Sequence, residues 1–125
     1  MSSTTVLIVD DEKEFASALA ERLQIRNYGA TSVYSAEEAF AAIRSDPPDV
    51  VLLDLRMPGV SGIDALKTIK QSHPAIEVII LSGLSSEKSA SEGLLNGAFD
   101  YVIKPVEIDD LIIKIDQAKD KKENG

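Results

Sequence analysis

A chain of 125 residues, 44% hydrophobic and 27% charged, has the length and balance of one globular domain and not of a disordered or fibrous segment. Its 13 Lys and Arg against 21 Asp and Glu leave a net charge of −8, which repels phosphate backbones and argues against direct nucleic-acid binding by this chain. With no cysteine, disulfides, thiolate metal sites and cysteine nucleophiles are excluded.

The N-terminus lacks the basic patch of a secretion signal. The longest aliphatic runs (6–9, 50–53 and 78–81) fall far short of the roughly 20 residues a membrane span needs. The expectation is a soluble, cytoplasmic protein without membrane contact. These runs are unbroken by polar alternation, which suits strands of a parallel sheet covered on both faces. Weaker strand signals at 30–34 and 99–103 place five strand starts near residues 5, 30, 49, 77 and 99.

Helical patterns fill the gaps. Phe15, Ala18, Leu19, Arg22 and Leu23 follow an i, i+3, i+4 rhythm that Tyr28-Gly29 ends. Ser35 to Glu38 reads as a capping box, with Ser35 at the N-cap and Glu38 reaching back, and Pro47-Pro48 stops that second helix. Ile63, Leu66 and Ile69 stripe a third helix closed by His73-Pro74. The segment 86–96 is predicted as the weakest helix, rich in serine, with Ala90, Leu94 and Leu95 as its inner face and Gly97 just beyond its end. Ile108, Leu111, Ile112 and Ile115 stripe the last, while Ile113 stands off that stripe as a candidate partner contact. Disordered ends are expected at about 1–4 and 120–125 of a single domain spanning 1–125.

Strands alternating with helices predict a doubly wound α/β domain, whose site lies beyond the carboxyl ends of the strands. The first strand ends in Asp10-Asp11, the third in Asp54, the fourth in Ser82-Gly83 and the fifth in Lys104-Pro105. Taken singly, each is an ordinary turn, cap or surface residue. Together they bring three carboxylates, a hydroxyl and an ammonium to one rim. Clustered carboxylates repel one another unless a cation sits among them, and hard oxygen ligands suit Mg²⁺ or a similar ion.

At this point the sequence resembles the receiver domain of two-component response regulators. The matching stretches are Val9-Asp10-Asp11-Glu12, the segment from Leu53 to Gly62, Leu81-Ser82-Gly83, and the segment from Gly97 to Pro105. The resemblance implies a flavodoxin-like five-stranded parallel sheet and a signalling domain that catalyses its own phosphorylation and dephosphorylation without being an enzyme in its own right. It implies that Asp54 is the phosphoacceptor, and that Asp10, Asp11, Asp54 and the backbone carbonyl of Arg56 hold Mg²⁺. Lys104 would pair with the phosphoryl group, Ser82 would hydrogen-bond it, and Pro105 would be a cis-proline aiming the lysine. Ser82 and Tyr101 would form the switch that reshapes helix four, strand five and helix five. Arg56 and Leu84 would flank the phosphoryl group and tune how long it lasts. The implied partners are a histidine kinase or histidine phosphotransfer protein, and downstream a protein target or a fused output domain.

Three other readings make different demands. An aspartate-based phosphohydrolase often puts a second acid two residues after the nucleophile, where this chain has Arg56. A flavin-binding domain of similar architecture needs Gly, Ser or Thr amides after the first strand, where this chain is acidic. An interaction module without phosphorylation would not need the acceptor, acidic pair and lysine together.

Overall fold

The structure, a computed structural model, describes residues 3–59, 61–83 and 87–124, with the backbone alone for 87–90. In chain order the elements are β1 (Thr5–Val9), α1 (Lys13–Ile25), β2 (Gly29–Val33), α2 (Ala36–Ser45) and β3 (Val50–Asp54). There follow α3 (Gly62–Ser72), β4 (Glu77–Ser82), α4 (Glu87–Leu95), β5 (Asp100–Ile103) and α5 (Ile108–Asn124). The sheet is wholly parallel, in the order β2-β1-β3-β4-β5.

Side chains alternate across each strand, and the aliphatic runs split accordingly. Val6, Ile8, Val50, Leu52, Ile79 and Leu81 face α1 and α5. Leu7, Val9, Val51, Leu53, Val78 and Ile80 face α2 and α3. Both faces are covered, so no polar residue is needed at alternate positions. The chain leaves β1 toward β2 on one side and continues from β3 toward β4 on the other. This reversal opens a crevice at the carboxyl ends of β1 and β3.

Local chemistry departs from the sequence reading in four places. Ser35 Oγ accepts the Glu38 N–H at 3.1 Å, but Glu38 Oε1 accepts from Tyr34 N–H at 2.7 Å, one residue earlier than a capping box would have it. The inner face of α1 is Ala16, Leu19, Ala20 and Leu23, with Ala18 and Arg22 exposed. Helix α4 does not bury its leucines: Leu95 is 86% exposed and Leu94 42%. It approaches the sheet through Gly93, where a Cβ would come within 2.9 Å of Ile80 Cγ1. The expected Ala90 contact lies outside the described side chains. Gly97, at φ +105°, ends α4 as the sequence suggested.

The fourth departure is the carboxyl end. In place of the disordered end expected at about 120–125, α5 is helical through Asn124. Lys119 and Lys122 reach the Asp49 carboxylate at 2.9 and 2.7 Å, and Lys121 lies 3.5 Å from Glu77. Asp49 also accepts the Thr5 N–H at 3.0 Å, fastening the start of β1 to the start of β3. These contacts pin the end of α5 to the amino-terminal edge of the sheet. Among the described residues no helix is long and apolar enough to cross a membrane.

Candidate functional site

Strand β1 delivers Asp10 into the crevice, fully buried, and Asp11 beside it, exposed. Asp10 Oδ1 accepts the Glu12 N–H at 2.9 Å, a turn that fixes its side chain against the entry to α1. Asp54 ends β3, buried, with Oδ1 accepting the Arg56 N–H at 2.9 Å. The loop beyond it is held close to α3 by Gly62, where a Cβ would stand 2.3 Å from Leu55 Cα. Only glycine admits that backbone approach.

Asp10, Asp11 and Asp54 each present a carboxylate oxygen within 4.8 Å of the others. Lys104 Nζ lies 2.8 Å from Asp10 Oδ2 and 2.7 Å from Glu12 Oε1, over the ring of Phe15 at 4.6 Å. Lys104 is thus the counter-ion of Asp10 Oδ2, a buried oxygen for which no other donor is at hand among the described residues. Burial pushes the Asp54 carboxyl above its ordinary value, and the Asp10 charge adds to this, against the Arg56 amide and Lys104. Burial alone would lower the Lys104 ammonium, but Asp10 and Glu12 beside it raise it above its ordinary value. The lysine is held charged.

Three clustered carboxylates, one of them fully buried with a single ammonium beside it, make an all-oxygen donor set that fits a hard divalent cation such as Mg²⁺. Asp10, Asp11 and Asp54 are the residues that could hold such an ion, with Arg56 on the same turn as Asp54.

The other expected residues fall around this rim. Ser82 is buried at the end of β4, and its carbonyl accepts the Lys104 N–H at 2.7 Å. The Lys104–Pro105 peptide bond is cis. Tyr101 is half-buried on β5, its carbonyl accepting from Lys114 Nζ at 2.6 Å, with that ammonium 5.4 Å from its ring centre. Ile113 is 56% exposed and borders, with Tyr101, Ile103 and Val106, a groove of about 560 Å³ between β5 and α5. Arg56 is exposed on the rim, while Leu84 lies outside the described residues. His73 sits at the end of α3, with Nδ1 3.1 Å from Ser72 Oγ and far along the chain from these groups.

The sequence reading placed Phe15 in a helical stripe and Glu12 in a matching stretch, but gave neither a role in the site. Glu12 directly follows the acidic pair, but nothing in its local sequence signals a contact with a lysine 92 positions away.

The family model described as response regulator receiver domain matches residues 6–116. The DNA-binding transcriptional regulator NtrC of Salmonella typhimurium is 37% identical over 118 residues, covering 94% of this chain and 25% of its own length. The transcriptional regulatory protein ZraR of the same species is 38% identical over 113 residues, 90% of this chain and 26% of its own. The chain thus spans about a quarter of the length of these curated relatives. Among solved structures, the receiver domain of NtrX from Brucella abortus superposes with a TM-score of 0.88 at 31% identity, covering 92% of this chain and 98% of that one. The Francisella response regulator 1452 receiver domain gives 0.86 at 33%, covering 95% and 98%.

Proposed function

Because the chain belongs to the response regulator receiver domain family, we propose that it is the phosphoacceptor of a two-component system, modified on Asp54. The donor is the phosphohistidine of a histidine kinase or histidine phosphotransfer protein. An Asp54 carboxylate oxygen attacks phosphorus, and the O–P bond forms as the N–P bond breaks. The imidazole nitrogen leaves with the bonding pair and takes a proton from solvent. The product is an acyl phosphate.

The observation that carries this reading is the cluster itself: three carboxylates within 4.8 Å, with the nucleophile at a strand end and an ammonium alongside. The Arg56 N–H and the Lys104 charge favour the ionised, nucleophilic form of Asp54. Mg²⁺ held by Asp10, Asp11, Asp54 and the Arg56 carbonyl would offset the charge of the phosphoryl oxygens. Lys104 supplies a second positive point to them and Ser82 a hydroxyl. The family resemblance would put Arg56 and Leu84 beside the approach of a hydrolytic water. Neither is suited to activating it, since a guanidinium has only donors and Leu84 has no polar group, so the acyl phosphate is long-lived.

The signal leaves through Ser82 and Tyr101 to the surface of α4, β5 and α5, and its recipient is a fused output domain or a separate cytoplasmic protein. Helix α4, seated through a glycine with its leucines exposed, has little apolar burial to lose among its described side chains when it shifts. Arg56 at the second position after Asp54 speaks against a phosphohydrolase of the aspartate type.

The test is intact mass after incubation with a small acyl phosphate donor and Mg²⁺. One phosphoryl group per chain is expected, mapped to Asp54 and absent in excess chelator. Labelling that survives chelation, or that maps elsewhere, contradicts the reading.

A further inference from the structure

We propose that Glu12 is a displaceable counter-ion for Lys104: its carboxylate holds the ammonium away from Asp54 in the unphosphorylated domain, yields it when a phosphoryl group arrives, and so sets how tightly the site takes that anion. This rests on the phosphoacceptor reading of Asp54.

Lys104 makes ion pairs with Asp10 and Glu12, at 2.8 and 2.7 Å, and Asp54 is not among its ion-pair partners in the described residues. The face of Phe15, 4.6 Å from Nζ, completes a seat for the ammonium on the α1 side of the crevice. The two acids that hold it differ in kind. Asp10 is fully buried, belongs to the carboxylate cluster and is tied by its other oxygen to the Glu12 amide, so it stays where it is. The Glu12 side chain is 65% exposed, so it can release Lys104 and turn into water at little cost.

A simpler use for an acid at this position is to cap a helix, because Glu12 is the N-cap residue of α1. Its side chain accepts no hydrogen bond from the helix and instead bridges to Lys104. Glutamate is a poor N-cap compared with Ser, Thr, Asp or Asn. The contact with Lys104 gives a long acid at that position something a good capping residue is too short to do. An ion pair this exposed is weak, a bias of about two- to five-fold in an equilibrium constant, which is the right size for a brake that must be released.

The test compares wild type with Glu12→Gln, Glu12→Asp and Glu14→Gln. Each is titrated with beryllium fluoride, a phosphoryl mimic, at saturating Mg²⁺, with binding followed by amide and Lys104 side-chain resonances. Mg²⁺ affinity is measured separately in each. Glu12→Gln should bind the mimic about two- to five-fold more tightly, because the competing charge is gone. Glu12→Asp, with its carboxylate one methylene short of Lys104, should shift the same way although the net charge is kept. Glu14→Gln removes the same charge from the exposed first turn of α1 and should leave binding unchanged. In free Glu12→Gln the Lys104 side-chain resonance should move toward its position in the mimic-bound wild type.

Equal or weaker mimic binding by Glu12→Gln overturns the proposal. So does an equal gain in Glu14→Gln, which would reveal a general charge effect, or a loss that follows weakened Mg²⁺ binding, which would make Glu12 a metal ligand. Wild type that binds no mimic removes the phosphoacceptor reading and this inference together. Wild type that binds while Glu12 has no effect removes this inference alone.

Discussion

The two ends of the sheet use the same residue types to opposite ends. At the amino-terminal edge, Asp49 is surrounded by donors: Thr5 N–H, Thr5 Oγ1, Lys119 and Lys122. Burial would raise its carboxyl, but these donors, Lys122 first, hold it far below the ordinary carboxylate range. At the carboxyl-terminal edge, Asp54 has one backbone donor and two neighbouring acids, and burial pushes it up. An acid satisfied by lysines from a helix is a brace. An acid short of donors and crowded by other acids is poised for a cation and for chemistry.

Removing the brace should have the largest effect on stability. Asp49→Ala strands two lysines that are only partly exposed, and unfolding in urea should show a loss of about 3 kcal/mol, against 3–5 for a fully buried pair. A loss below about 1 kcal/mol would mean that the end of α5 is held without the Asp49 brace, by its apolar stripe and the Lys121–Glu77 pair.

The opposite edge should respond to a cation instead. Mg²⁺ at a hundred times its dissociation constant should stabilise the domain by about 2.7 kcal/mol, read as a rise in Tm that chelator reverses. Asp11→Asn should weaken that response, and an unchanged response would dissolve the contrast between the edges.

Acid should act on the brace in a defined direction. A carboxyl whose folded pKa is depressed contributes stability above its unfolded value and loses it as pH falls toward the folded one. The stability gap between wild type and Asp49→Asn should therefore be full at neutral pH and narrow progressively below about pH 4. A gap that stays constant down to strong acid would show that the carboxylate charge is not what Lys119 and Lys122 recognise.

The smallest effect is expected at Leu95, where Leu95→Gln should change stability by less than about 0.5 kcal/mol because the side chain is already 86% exposed. Hydropathy alone suggests the reverse, and the reason shows where sequence reading stops. Strand positions were legible because aliphatic runs in a parallel sheet are buried on both faces, and the place of the candidate site because Asp10, Asp54, Ser82 and Lys104 each stand at or just beyond a strand end. The inner face of α4 was not, because the shape of Ile80 selects Gly93 there and leaves the leucines outside. The Asp49 brace and the Glu12–Lys104 pair were not legible either. Their partners lie 70, 73 and 92 positions apart, and only the packing of α1 and α5 on the sheet brings them together.

The claim that one edge reacts while the other only braces is tested most directly by two substitutions of the same kind, Asp54→Asn and Asp49→Asn. Each variant is incubated with a small acyl phosphate donor and Mg²⁺, and its intact mass and its unfolding in urea are recorded. Asp54→Asn should take no phosphoryl group and, without metal, be at least as stable as wild type, since it relieves the crowding with Asp10 and Asp11. Asp49→Asn should be labelled to the wild-type extent and be less stable. Full labelling of Asp54→Asn, or loss of labelling in a folded Asp49→Asn, would contradict the account.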